Sequence, residues 1–462
     1  MRLFGIVAGA IWFTVSFANA QVPIKTLRDL IEIAKTNLPV LKQKLAQVNV
    51  SRAAVTDVEH SFLPQVRASA QYSFGSDNSI SGSTFPFSST ISTSGGIRTE
   101  NKLEPATGSI AVLYGEYEVY NFGLNAARRQ AANAFIDLNQ SDYERELYFL
   151  EFNVAKTYFN FLKNYNKLNT DKQNIQRYEN LYVLIRTQVI SGLRPGSDTS
   201  SAKAEISKAR IGYNQTLGAV NQTITQLAYF TGNNLLSFDQ LALNFEQSVF
   251  KSALDSQLIA HSSELNKNPL IEYLYKRKNI FDTNERVIEK SFSPKIILGA
   301  SVLARGSSVQ YNDNYQSLLE GFGYQRFNYV VGAAVNYNLL NNLYRRDKIA
   351  INKFQIESIN SEIQQQVETL HATSLQAENA LQTAQANLLE IPIQIQVAQE
   401  TFTQKSAQYK SGLISLNDLK NSAFVLFRAQ SDEIDFQNDW YVAQLERAAA
   451  KGNLETFIQS LK

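Results

Sequence analysis

The sequence predicts an α+β fold of two tandem copies of one unit, each joining a long antiparallel helical hairpin to a pair of amphipathic strands. Three observations predict it. Gln188, Ser191, Gly192, Leu193 and Asp198 recur as Gln408, Ser411, Gly412, Leu413 and Asp418, 220 residues later. Each Ser-Gly-Leu turn follows a very long stretch without glycine and precedes a second helical pattern, so each reads as the tip of a helical hairpin. Four segments alternate apolar and polar residues over strand lengths. A repeat this long is too long for a solenoid unit, which leaves two copies of one supersecondary unit forming one wall of a larger object.

Residues 1–20 carry one early cation, Arg2, then an apolar run of about a dozen residues ending Ala18-Asn19-Ala20. This reads as a cleavable secretory signal, because the run is well short of the roughly 20 residues that span a bilayer. The first repeat follows over 21–232. Leu27, Leu30, Ile31, Ala34 and Leu38 lie at helical spacing before Pro39, and a second helix runs to about Phe62, where Pro64 stops it. From Gln65 to Phe74, Val66, Ala68, Ala70, Tyr72 and Phe74 alternate with Gln65, Arg67, Ser69, Gln71 and Ser73, a strand over about 65–75 with one apolar and one polar face. After a loop rich in Ser, Gly and Thr, a second strand over about 109–121 carries Ala111, Leu113, Tyr117 and Val119 on one parity and Glu116 and Glu118 on the other. Leu124 to Ile190 holds neither Gly nor Pro. As a helix it would extend about 100 Å at 1.5 Å per residue.

The returning helix covers Ser197 to Phe230, and 233–263 is a mixed segment. The plan then repeats over 264–451: a helix near Asn268 to Ser291, strands over about 295–305 and 329–339, a second long helix from about Asn341 to Ser411, a returning helix, and a tail over 452–462. The apolar parity of Tyr329, Val331, Ala333, Val335 and Tyr337 matches that of Leu113, Tyr117 and Val119 only at an even offset, since a one-residue slip exchanges the two faces. An offset of 220 therefore fits the strands and the tips, although Tyr120-Asn121 and Arg128-Arg129 also match Tyr337-Asn338 and Arg345-Arg346 at 217.

Composition narrows the function classes. The chain has 44 Lys plus Arg against 42 Asp plus Glu, for a formal charge of +2, and no concentrated basic surface, which argues against nucleic acid. It has no cysteine, which excludes disulfides, thiol chemistry and a lipid anchor on an N-terminal cysteine. The histidines His60, His261 and His371 have no metal-ligand spacing, and no nucleophile motif or phosphate loop appears, so neither catalysis, a metal nor a cofactor is expected. After the signal no run of 18 apolar residues occurs, so a membrane would have to be crossed by strands. Four strands per chain are half of the roughly eight that the smallest transmembrane barrel needs. Lipid does not tolerate open strand edges, so the chain is expected to oligomerise; two copies would give a barrel filled by side chains and three could leave a lumen.

The duplicated order of helix, Pro64 or Pro294, strand, polar loop, strand, long helix, Gly-Leu turn and helix resembles the TolC-type outer-membrane efflux and secretion proteins. The stretch Ala155-Lys156-Thr157-Tyr158-Phe159-Asn160-Phe161-Leu162 is similar to that family's first long helix. The resemblance spans nearly all of the mature chain. It implies a homotrimer in outer-membrane lipid of a Gram-negative bacterium, with a twelve-stranded transmembrane β-barrel and a helical α-barrel reaching far into the periplasm. It also implies a passive exit duct of an efflux pump or type I secretion system, working with a periplasmic adaptor and an inner-membrane transporter. The alternative is a periplasmic adaptor with a helical hairpin, which usually has one copy of the hairpin and no lipid-facing strands.

Candidate residues follow from the tips and the strand faces. In the family the position of Asp418 faces the pore at its periplasmic mouth, and a second acid three residues on adds another ring; here that position is Asn421. Carboxylate rings favour cations, so one ring predicts a weaker cation preference. The family's closed mouth resembles a lock of a tyrosine, an arginine and the first-repeat aspartate. Tyr409 and Asp198 match, but the arginine position is Ile414. Tyr409, Asp418, Asn421, Asp198 and Ile414 are therefore the expected constriction, and Gly192, Leu193, Arg194, Gly412 and Leu413 the expected adaptor-contacting tips. Arg194-Pro195-Gly196 is expected to make the first tip longer and stiffer than the second. Arg67, Glu116, Glu118 and Lys295 fall on the polar strand faces and would line the barrel lumen, and Pro392 would kink the second long helix.

Overall fold

The computed structural model describes residues 26–78, 99–232, 268–311 and 313–461. The signal, the segment 233–263 and His261 lie outside the described residues. The chain divides into two compact units, one formed by residues 42–145 and 269–367, the other by the described parts of 1–41, 146–268 and 368–462.

The first unit contains the sheet. Its strands are β1 (Gln65–Gly75), β2 (Ala106–Tyr120), β3 (Lys295–Ser307) and β4 (Arg326–Asn336), hydrogen-bonded antiparallel in the order β1-β2-β3-β4. The two halves of the duplication meet at β2–β3, where Leu113 pairs with Val302 and Gly115 with Ala300. Each strand keeps the predicted alternation, so Val66, Leu113, Val302 and Tyr329 share one face and Arg67, Tyr114, Ser301 and Val330 the other. β1 and β4 are the sheet's edges, and every residue in both is exposed. β4 begins three residues before the expected 329, because Arg326 already pairs with Arg305. It also stops earlier: the Asn338 side chain accepts from the Leu340 amide at 2.9 Å and starts the next helix. Helices α2 (Pro39–His60) and α5 (Pro269–Ser291) precede β1 and β3, and Pro64 and Pro294 stand between helix and strand as read from the sequence.

In the second unit, α1 (Leu27–Asn37) begins with a capping box between Thr26 and Asp29 and buries Leu27, Leu30, Ile31 and Ala34. Of the two long helices, α3 (Leu124–Ile190) and α6 (Asn341–Lys410), this unit holds residues 146–190 and 368–410, with Pro392 carried inside an unbroken α6. Their returning partners are α4 (Gly196–Thr231) and α7 (Leu416–Ala450), followed by the short α8 (Leu454–Ser460). Burial on α7 falls on Leu419, Ala423, Leu426 and Ile434, a helical stripe that faces its neighbours. Polar contacts between α3 and α7 fix the register along that seam: Lys156 with Glu446 at 2.9 Å, Lys163 with Asp435 at 2.7 Å, and Arg177 donating to Gln430 at 2.9 Å. Among the described residues, no helix is long and apolar enough to cross a membrane.

Candidate functional site

Both tips are the same backbone device. Gly192 and Gly412 adopt φ of 72° and 79°, which a side chain would strain. Around each, the glycine amide donates three residues back, to Val189 or Tyr409, and the next leucine donates five back, to Gln188 or Gln408. This pair of bonds is the Schellman end of a helix, and it satisfies carbonyls that the last turn leaves open. Leu193 and Leu413 project beyond the turn, 72% and 75% exposed. The residues between helices are 191–195 in one tip and 411–415 in the other, five in each. The first tip is thus no longer than the second, since Gly196 already belongs to α4.

Beneath the turns the two tips join in one apolar cluster of Tyr178, Leu181, Ile185, Ala202, Tyr409, Leu416, Leu419 and Ala423, with Ile414 and Val189 packed against it. Tyr409 is wholly enclosed, at 0% exposure within its own chain. Its place is inside the tip, not on a passage wall, because no face of it remains to line one. The hydroxyl donates to Asp198 Oδ2 at 3.4 Å. Burial, the Asp198 charge and that bond push the Tyr409 phenol above its ordinary range, against the opposing pull of Arg194.

Arg194 completes this site from the first tip. Its guanidinium carbon lies 4.6 Å from the centre of the Tyr409 ring, and Nη2 donates to the carbonyls of Ile414 at 3.0 Å and Tyr409 at 3.4 Å. Gln188 adds a bond from Nε2 to the Lys410 carbonyl at 3.1 Å. Two first-repeat side chains therefore cap the end of α6, where a cation also meets the negative end of the helix dipole. The sequence reading put Arg194 among adaptor contacts and left the lock without an arginine. Positions 194 and 414 are equivalent at the repeat offset, so the signal was an arginine on one copy facing Ile414 on the other.

The two aspartates part company. Asp418 closes a capping box with Ser415: its carboxylate accepts from the Ser415 amide at 3.2 Å and hydroxyl at 2.6 Å, and Ser415 Oγ accepts from the Asp418 amide at 3.3 Å. Those bonds hold the Asp418 carboxyl below the usual carboxylate range. Asn421 lies exposed one turn further along α7. The structure thus brings Tyr409, Asp198, Arg194 and Ile414 together and leaves Asp418 and Asn421 on an exposed helix face. Sequence reasoning missed Gln188 and the clasp in which Lys420 meets Glu205 at 2.8 Å and Ser201 at 3.2 Å.

On the polar sheet face, Lys295 meets Glu118 at 3.0 Å, Tyr114 donates to Glu116 at 2.8 Å and Arg67 to Gln65 at 2.7 Å. Among the described residues, no group of acidic and histidine side chains is placed to hold a metal.

Residues 30–233 match the family model described as outer membrane efflux protein. Among solved structures, the outer-membrane channel OprN is 15% identical with a TM-score of 0.72, over 93% of this chain and 90% of that one. The outer membrane protein VceC of Vibrio cholerae is 15% identical, TM-score 0.70, over 92% and 96%. The outer membrane channel CmeC of Campylobacter jejuni is 15% identical, TM-score 0.71, over 94% and 90%. No curated protein matches by sequence.

Proposed function

We propose, on the match of residues 30–233 to the outer membrane efflux protein model, that this chain is the outer-membrane exit duct of an efflux pump or a type I secretion system. Three copies would set twelve strands edge to edge in the outer membrane and carry the helical tips into the periplasm. There an adaptor and an inner-membrane transporter would meet them, and conduction through the duct would be passive. No catalytic step belongs to this reading. The observation that carries it is the sheet: a four-stranded antiparallel sheet with one apolar face, both edge strands fully exposed, which lipid admits only once the edges are paired in a closed barrel. The tips would form the constriction, with Arg194, Tyr409 and Asp198 holding its shape from within and Asp418 and Asn421 at its surface. Leu193 and Leu413, exposed on both tips, would offer an adaptor apolar contacts.

Extraction and reconstitution test this. The purified protein is expected to need detergent, to run as a heat-stable trimer on gels, and to open ion-conducting channels in planar bilayers. A soluble monomer in plain buffer overturns it in favour of the adaptor reading.

A further inference from the structure

The helices of the first unit follow the order of its strands. α2 meets α3 through Lys44 with Asp142 and Arg129 with Glu59 at 2.9 Å. α3 meets α5 through Arg286 donating to Gln130 at 3.3 Å, Lys276 with Asp137 at 4.0 Å and Arg145 over the Tyr273 ring at 3.9 Å. α5 meets α6 through Arg277 with Glu362 at 2.9 Å and Asn284 with Asn352 at 3.2 Å. The row α2-α3-α5-α6 thus repeats β1-β2-β3-β4, and α2 and α6 end it as β1 and β4 end the sheet.

The two repeats meet at α3 and α5. By helical spacing Ala134 and Ser141 share the α3 face of Gln130 and Asp137, and Thr283 shares the α5 face of Lys276 and Arg286; all three are buried. The hairpin registers say which residues hold these places on the outer helices, since Gln71 pairs with Ile110 in the first copy and Ser301 with Val330, 230 and 220 residues on, in the second. The equivalents of Ala134, Ser141 and Thr283 are Phe354, Ser361 and Ala53, and all three are exposed, Phe354 at 70%. Next to Ala53 on α2, Val50 is 57% exposed, on the side away from the buried Val48 and Ser51. Positions buried between the repeats therefore lie bare, with large apolar side chains among them, at the two ends of the row.

We propose that a second copy of this chain covers them, its α2 and β1 meeting α6 and β4 as α5 and β3 meet α3 and β2 within one chain. This rests on the exit-duct reading and adds the register of the seam between copies. Lipid cannot take the place of the copy, because it leaves the edge amides and carbonyls unpaired. The pair Gly115 and Ala300 carries over to Val335 beside Ala70 of a second copy, which keeps the apolar residues of both strands on one face. Gln130 and Arg286 carry over to Ala350 and Thr56, so Phe354 packs on Val50 and Ala53. The ion pair of Lys276 and Asp137 is not reproduced, since the equivalent of Lys276 is Ala46. Charge enters one turn before Ala350, where Arg346 comes within reach of Asp57; both are exposed, and neither has a side-chain partner among the described residues. An exposed ion pair adds little strength, so its work is to select this register over its neighbours.

The test uses the full-length protein in detergent, with light scattering to report the assembly of each variant. The chain has no cysteine, so crosslinks form only between introduced ones. Ala70→Cys with Val335→Cys, and Asp57→Cys with Arg346→Cys, treated with a short bis-methanethiosulfonate and boiled, are expected to run as covalent trimers on denaturing gels and as monomers after reduction. Val66→Cys with Val335→Cys, four residues out of register, and each single-cysteine variant should run as monomers on the same gels. Trimers in which either in-register pair fails to crosslink, or in which the out-of-register pair crosslinks equally, overturn this seam and leave the duct intact. Wild-type protein that stays monomeric in detergent, its edges covered by lipid instead, overturns both.

Discussion

The first and second helical tips share a turn, a spacing and an aspartate, yet that aspartate does different work in each. Position 195 is proline and position 415 is serine. Ser415 supplies a hydroxyl at the N-cap of α7, and Asp418 closes the capping box with it. Pro195, at the N-cap of α4, offers no such group and makes no side-chain cap bond, so the Asp198 carboxylate is left to accept from Tyr409. The other equivalent pairs, Val189 with Tyr409 and Arg194 with Ile414, diverge to match: the ring comes from one copy and the cation that covers it from the other. Duplication preserved the backbone turn, whose geometry glycine dictates. It left the side chains around the turn free to divide one interaction between two copies.

The largest effect expected from breaking this division is at Arg194. Arg194→Ala removes the bonds to the Tyr409 and Ile414 carbonyls and the cation over the ring. Hydrogen bonds made by a charged group contribute about 1.5–3 kcal/mol. Hydrogen exchange of amides 409–416 should accelerate accordingly, and single-channel conductance should rise as the tip loosens. Arg194→Lys should recover only part of this, since a lysine cannot span two carbonyls with a planar fork. Unchanged exchange and conductance in Arg194→Ala would show that the two tips are held by apolar packing alone.

A smaller effect is expected at Tyr409, with a pH signature. Because the folded protein raises the phenol's pKa, its stabilisation is fully present below the unfolded value near 10 and is lost as pH rises through the higher folded value. Tyr409→Phe deletes one hydrogen bond, a cost of about 1 kcal/mol at neutral pH, and should remove the alkaline step. Thermal melts between pH 8 and 11 compare the two proteins; an identical alkaline decline in both would assign that decline to other tyrosines. Asp418 works in the opposite direction, since its lowered pKa gives stabilisation that is present above the unfolded value and lost as pH falls through the folded one.

The sheet was legible in the sequence because a period of two is read directly from residues such as Val66, Ala68 and Ala70, and the face assignment survives an error of three residues at the start of β4. The tips were legible as turns because a glycine at positive φ, set between long segments free of glycine, has few other uses. Arg194 was not legible as the partner of the second tip: it donates to the Tyr409 and Ile414 carbonyls, 215 and 220 residues away, and backbone oxygens carry no sequence signature. The burial of Tyr409 was hidden for a related reason, since its neighbours Tyr178, Ile185 and Ala202 come from the other hairpin. The capping box at Ser415 and Asp418 was readable as a serine followed three residues later by an acid, a pattern that the pore-facing expectation for Asp418 obscured.

The smallest expected effect is also the one that tests the comparison most directly. Pro195→Ser gives the first tip the N-cap residue of the second, and Asp198 then stands three residues on, as Asp418 does from Ser415. A new cap of this kind is worth about 0.5–1 kcal/mol to α4. It competes for the carboxylate that Tyr409 now uses, so net stability should change little while the alkaline step of Tyr409 moves toward the ordinary tyrosine value. If ultraviolet titration of tyrosinate absorbance gives the same curve for Pro195→Ser and wild type, with Tyr409→Phe identifying the transition, then Asp198 stays with Tyr409 despite a competing hydroxyl. In that case Arg194 and the apolar cluster, not the missing serine, set the difference between the tips.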